Sequence, residues 1–207
     1  MSSKGVGFML KILYVHGIGS AGGGNTVNLF KKYFPNYEID SPDIPEDPKE
    51  AVAFLREIAN KYDVVIGTSL GGFYAMQLFG PMKILINPAI DAMNTVTTSI
   101  GYGEHPYLKR RKDGKKTYIV DDKFVTELTE LYNNFFDNCF DEESMLETYA
   151  LFGNEDEVCN CQNLFKKYYY EENMSVANFG HRMTEEVFVN EFTDMFNLVL
   201  EEIKVKV

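Results

Sequence analysis

The chain has 207 residues, 45% hydrophobic and 25% charged, with a net charge of −11. That is enough chain to bury one substantial core, so one domain is expected, and the acidic balance argues against nucleic acid or an anionic membrane as partner. No apolar run approaches the ~20 residues of a spanning helix. Met1 to Met9 lacks the long apolar core of a signal peptide, and three cysteines suit a reducing compartment, so a soluble cytoplasmic protein is expected.

Lys11 to Val15 is a uniformly apolar run, as in a buried parallel strand, and Tyr37 to Ile39 is a shorter candidate. Asp47-Pro48-Lys49-Glu50 offers an N-cap, a proline at the first helical position and a capping-box glutamate. Ala51, Val52, Leu55, Ile58 and Ala59 then share one helical face. Val64 to Ile66 and Lys83 to Ile86 are further buried strands, with a helix from Leu70 to Phe79 between them. Residues 91 to about 145 break this rhythm. They hold a candidate hairpin, Tyr107 to Val120, around a type I′ turn at Asp113-Gly114, and a helix from Phe124 to Phe136. Such a segment reads as an insertion in the position of a lid. Glu147 to Phe152 and Met174 to Ala177 complete the strands, with a helix over Glu157 to Tyr168 between them. Thr184 caps a last helix whose stripe is Phe188, Phe192, Met195, Phe196, Val199 and Ile203. The pattern predicts an α/β fold: a three-layer α/β/α sandwich with about six mostly parallel strands.

Gly67-Thr68-Ser69-Leu70-Gly71 is a G-x-S-x-G motif between a strand and a helix, where a nucleophile elbow belongs. A serine there adopts strained backbone angles, and Gly67 and Gly71 supply neighbours without bulk. The hydroxyl needs an imidazole to take its proton and a carboxylate to orient that imidazole. Of three histidines, His16 follows the first strand, His105 lies in the insertion and His181 follows the last strand. The order Ser, acid, His along such a sheet favours His181 as base. The acid should follow the penultimate strand. There Asp156 has the favoured spacing, with Glu155 and Glu157 as rivals. Backbone N–H groups of Ile18 and Leu70 are candidates for the oxyanion hole. His16, in His16-Gly17, then has a supporting role, its ring tying the loop.

His16-Gly17, Gly67-Thr68-Ser69-Leu70-Gly71-Gly72, Asn87-Pro88-Ala89, Gly153-x-x-Asp156-Glu157-Val158 and Gly180-His181 occur together. This set resembles the small α/β-hydrolases of the YqiA/YcfP-like esterase group, most clearly over residues 11–91 and 147–205. The resemblance implies a compact, cofactor-free hydrolase acting on short acyl esters or acyl thioesters, with a small-molecule substrate. The long insertion and its basic cluster depart from that pattern, so the substrate itself does not transfer. Some relatives lack the serine; this chain keeps it.

Two other functions compete. Gly17-Ile18-Gly19-Ser20-Ala21-Gly22 fits G-x-G-x-x-G after a strand, and Asp40 ends the next strand, as in dinucleotide-binding proteins. That leaves Ser69, Asp156 and His181 unexplained as an ordered set. A binding protein that keeps the triad without turnover is the other. Cys159-Asn160-Cys161, with one distant thiol and no histidine close in sequence, is a poor zinc motif, and no metal is expected. Lys109, Arg110, Arg111, Lys112, Lys115 and Lys116 form a basic cluster. It is either a solvated hairpin or a means of steering an anionic substrate. Tyr102, Tyr107, Tyr118, Phe124, Tyr132 and Phe135 either line an acyl pocket or form the insertion's core.

Overall fold

The computed structural model describes residues 10–206; the N-terminal stretch read above for a signal peptide, Met1 to Met9, lies outside the described residues. The strands are β1 Lys11–Val15, β2 Glu38–Asp40, β3 Val64–Thr68, β4 Met82–Ile86, β5 Gly103–Pro106, β6 Thr117–Val120, β7 Thr148–Gly153 and β8 Met174–Ala177. Six of them form one sheet in the order β2-β1-β3-β4-β7-β8. Every neighbouring pair in it is parallel. β5 and β6 pair separately as an antiparallel ribbon. The helices are α1 Asn25–Tyr33, α2 Pro48–Ala59, α3 Leu70–Ala75, α4 Ala92–Thr95, α5 Asp122–Asn134, α6 Glu142–Leu146, α7 Gln162–Tyr168, α8 Glu185–Val187 and α9 Thr193–Lys206. None of them is long and apolar enough to cross a membrane.

The uniform apolar strands are covered on both faces, and their alternation sorts the residues. Leu13, Val15, Val65, Leu85, Ala150 and Phe152 face a core shared with α2, α3, α5 and α7. Ile12, Tyr14, Val64, Ile66, Ile84 and Leu151 face a second core shared with α1 and α9. There Phe30 meets Phe196 edge-on at 5.0 Å, and Phe188 stacks on Phe192 at 4.8 Å. Burying each such ring contributes ~1.5–3 kcal/mol. Thr184 Oγ1 accepts from Val187 N at 3.2 Å, which starts the last helical stretch where its cap was expected. The chain then passes from α8 to α9 through a wide π turn at Phe188–Phe192. Asp47 caps α2 through Lys49 N and Glu50 N, with Pro48 opening the helix.

Three expected boundaries move. The helix after Ser69 stops at Ala75 rather than Phe79. Tighter bonds follow, Gln77 N to Tyr74 O and Leu78 N to Ala75 O, leading into Gly80 at φ +96° and Pro81. The helix expected from Glu157 begins only at Gln162. The Asp156 carboxylate accepts from Val158 N at 2.7 Å and Cys159 N at 3.1 Å, a capping pattern, yet residues 157–161 do not continue as helix. The expected two-residue hairpin turn is a long loop over residues 107–116. A type I′ turn needs positive φ at both central residues. Here Gly114 has φ +80° and Asp113 does not have a positive φ, while the Asp113 carboxylate is bonded to Arg111.

Candidate active site

Ser69 stands between β3 and α3 with φ 54° and ψ −124°, a strained conformation for a non-glycine residue. The surroundings over-determine it. Its N–H donates to Ile86 O at 3.0 Å, and its carbonyl accepts from Gly72 N, Phe73 N and Ala89 N. A Cβ on Gly71 would overlap Val15 O and His16 O, so only glycine lets α3 lie this close to the end of β1. A Cβ on Gly72 would come 2.9 Å from Pro88 Cβ. The doubled glycine and Asn87-Pro88 are therefore two sides of one contact.

Asp156 lies beyond β7 and His181 beyond β8, neighbouring strands of the sheet. Asp156 Oδ2 is 2.9 Å and Oδ1 3.1 Å from His181 Nδ1. A carboxylate at Nδ1 puts the hydrogen there and leaves Nε2 with its lone pair. The Asp156 side chain is 1% exposed and that of His181 28%, so the acid is sealed and the ring is open on one side. Burial alone would raise the Asp156 carboxyl. The hydrogen bond from His181 and those from Val158 N and Cys159 N outweigh it and hold the group below its ordinary value. Of the three acids in the loop, Asp156 is buried against the imidazole, while Glu155 and Glu157 are exposed.

Asn87 holds this arrangement in place. It is wholly buried at φ +43°, an αL conformation. Its Nδ2 donates to Gly180 O at 3.0 Å and His181 O at 3.3 Å, and its Oδ1 accepts from Gly153 N at 2.7 Å. One amide thus ties the histidine loop to the end of β7. In the sequence the Asn-Pro pair was visible as a motif, but nothing there showed which loops it joins.

Ser69 Oγ pairs with Cys159 Sγ at 3.7 Å; among the described residues it makes no hydrogen bond to His181. Cys159 is buried, and burial pushes its thiol up to about 12, so it stays neutral and is a poor nucleophile. The fold also supplies what the C-x-C motif lacked: single donor atoms of Asp156, Cys159 and His181 lie within 4.8 Å of one another. These three residues could hold a metal ion, although both Asp156 oxygens are already engaged by His181 and by backbone N–H groups.

Beside Ser69 is a cavity of about 30 Å³ bordered by Gly17, Ile18, Leu70, Tyr74, Tyr118 and Phe124. His16 braces its edge. Nδ1 faces Gly17 O at 3.0 Å, and Nε2 accepts from Ile44 N at 3.2 Å. Burial lowers the His16 pKa, with the Gly17 carbonyl opposing, so the ring is a neutral strut. His105, the third histidine, bonds Gly101 O and stacks on Tyr118.

Two members of the basic cluster are held by the protein itself. Arg111 is buried, bonds Ile44 O and Asp113, and lies over the Tyr107 ring. Lys115 pairs with Glu46. In the glycine-rich loop, Gly22 N is taken by Asp43 Oδ1 and Gly23 N by Ser41 Oγ, while Asp40 accepts from Tyr62. One amide of the glycine-rich motif, Gly22 N, and the Asp40 carboxylate are thus engaged by the protein's own chain.

A strained serine at the head of a parallel sheet covered on both faces is how α/β-hydrolases are built, and solved members of that class superpose along the chain. Est1E from Butyrivibrio proteoclasticus matches with a TM-score of 0.62 and 14% identity, covering 95% of this chain and 89% of that one. A monoacylglycerol lipase from Paleococcus ferrophilus matches with a TM-score of 0.60 and 12% identity, covering 94% of each. Alpha/beta hydrolase domain-containing protein 10 from mouse matches with a TM-score of 0.56 and 14% identity, covering 94% and 88%. The fold is that of the α/β-hydrolases. Within it, the chain belongs to the uncharacterised protein family UPF0227, the YqiA/YcfP family, which matches residues 11–197.

Proposed function

We propose that the protein is a serine hydrolase that cleaves a carboxylic ester or acyl thioester through an acyl-enzyme. The observation that carries this is the Asp156–His181 pair, with its open Nε2, on the same rim as a serine held in the elbow conformation. Similarity of fold to a lipase and to Est1E raises the expectation without identifying a substrate.

In this mechanism the Ser69 hydroxyl turns from Cys159 toward His181 as substrate enters, as catalytic hydrogen bonds often tighten only in the complex. Oγ attacks the carbonyl carbon while Nε2 accepts the proton. Asp156 stabilises the imidazolium. The Ile18 and Leu70 amides, which border the cavity beside Ser69, hold the oxyanion, each donor contributing ~3–4 kcal/mol. The imidazolium returns its proton to the leaving oxygen or sulfur, and water repeats the cycle on the acyl-serine. Residues 91–145 act as a lid: Tyr118 and Phe124, in and just after the β5–β6 ribbon, border the same cavity.

The Ser69–Cys159 contact favours a second function, a binding protein whose serine is parked away from its base. A fluorophosphonate probe separates the two. Rapid labelling at Ser69, abolished in His181→Ala, is expected of the hydrolase. An unlabelled serine in the folded wild type would leave only the binding protein.

A further inference from the structure

The acid and base at the end of the sheet share their corner with a thiol that the hydrolase mechanism does not use. Single donor atoms of Asp156, Cys159 and His181 lie within 4.8 Å of one another, and Cys159 Sγ is 3.7 Å from Ser69 Oγ. One carboxylate, one thiol and one imidazole, with a hydroxyl beside them, make a donor set suited to zinc, with a fourth position left for water or the serine.

The loop sorts these donors by task. Asp156 Oδ1 accepts from Val158 N and Cys159 N, so this oxygen fixes the backbone of the thiol-bearing residue beside the carboxylate. Among the described residues Oδ2 is bonded to His181 Nδ1 alone, at 2.9 Å. A tetrahedral ion with bonds of ~2.0 Å to nitrogen and oxygen sets those two atoms ~3.3 Å apart. The Asp156–His181 pair is thus already close to one edge of such a tetrahedron. Sulfur bound at ~2.3 Å stands ~3.5 Å from nitrogen or oxygen, so the thiol has to close by about 1 Å. The His181 side chain is 28% exposed, and its open flank gives the ion a way in.

We propose that Asp156, Cys159 and His181 form an inhibitory site for zinc, which takes the imidazole away from Ser69 and stops turnover reversibly. The step balances without an oxidant or reductant. As the zinc–sulfur bond forms, the Cys159 thiol releases its proton to solvent. An ion at Nδ1 replaces the proton that Asp156 held there, and that proton passes to Nε2. Nε2 then carries a hydrogen and cannot accept one from Ser69. Magnesium and calcium seek several oxygen ligands and find one carboxylate here, so they should not compete. The inhibition rests on the proposed hydrolase function; the binding does not.

The test uses the whole chain, freed of metal by a chelator, with p-nitrophenyl acetate as substrate. Micromolar zinc is expected to lower turnover by about tenfold or more, with full recovery on adding chelator, whereas millimolar magnesium leaves it unchanged. In Cys159→Ala the zinc concentration for half inhibition should rise by about tenfold or more. It is compared with the zinc-free rate of the same variant, so a change in that rate cancels. Cys139→Ser should keep wild-type zinc sensitivity. Binding is read without substrate: cobalt(II) should give a thiolate charge-transfer band in the near ultraviolet, present in wild type and Ser69→Ala and lost in Cys159→Ala. If Cys159→Ala does not fold, Cys159→Ser replaces it.

Turnover insensitive to zinc, or equal sensitivity in folded Cys159→Ala and wild type, overturns the site. The two levels fail separately. A protein that hydrolyses the ester and labels with fluorophosphonate, but shows no cobalt–thiolate band, loses only the metal site. A protein that gives the band yet neither labels nor turns over loses the hydrolase function and keeps the site as one for binding zinc.

Discussion

His16 and His181 both follow strands at the same rim of one sheet, yet they are held in opposite ways. The His16 ring is buried, and both nitrogens are engaged by backbone groups, Gly17 O and Ile44 N. His181 gives one nitrogen to a buried carboxylate, and among the described residues the other has no backbone partner, on a partly exposed face. A ring with both nitrogens bonded to backbone can brace a loop but cannot shuttle a proton. A ring fixed at one nitrogen only can do so. The residue type is the same; its second partner decides the role.

The largest effects should fall on the His181 side. His181→Ala or Ser69→Ala is expected to reduce kcat by a factor on the order of 10⁴–10⁶, with the melting temperature close to wild type. Steady-state kinetics beside a thermal melt checks this, and equal losses from His16→Gln would erase the contrast. Asp156→Asn keeps the size of the side chain but removes the charge that selects Nδ1–H. A kcat loss on the order of 10⁴ with KM little changed is expected.

Asn87→Ala should act on both quantities. It strips three backbone groups of their partner, and the buried Gly153 N–H alone costs ~1–3 kcal/mol when left unsatisfied. It also frees the histidine loop, for which a kcat loss on the order of 10²-fold is expected. A variant that melts lower yet turns over normally would show that the clamp serves stability alone.

The smallest effect is the one that reads His16 directly. Its pKa lies below the ordinary 6.5 because burial disfavours the charged ring. The unfolded chain therefore binds a proton that the folded chain resists. This contribution to stability is complete above about pH 6.5 and declines as pH falls below it. Melting temperatures measured downward from about pH 8 should show that slope, and His16→Gln should flatten it. The Asp156 carboxyl, also lowered, adds a separate decline only once pH falls below its ordinary 3.8.

Much of this side-by-side arrangement was legible in the sequence, because it depends on local rules. The elbow needs small residues around one serine, the Thr184 and Asp47 caps need a polar side chain just before a helix, and uniform apolar runs mark doubly covered strands. What was hidden depends on partners distant in the chain. Cys159 meets Ser69 across 90 residues, Asn87 reaches His181 across 94, and Arg111 leaves the basic cluster to bond Ile44 across 67.

The thiols carry one more consequence. Cys159 and Cys161 are sealed inside, whereas Cys139 is partly accessible. A colorimetric thiol reagent added to the native protein should therefore titrate a single fast site, and the remaining two should react only as the molecule opens. The chain carries its own unfolding stopwatch, with no engineered label.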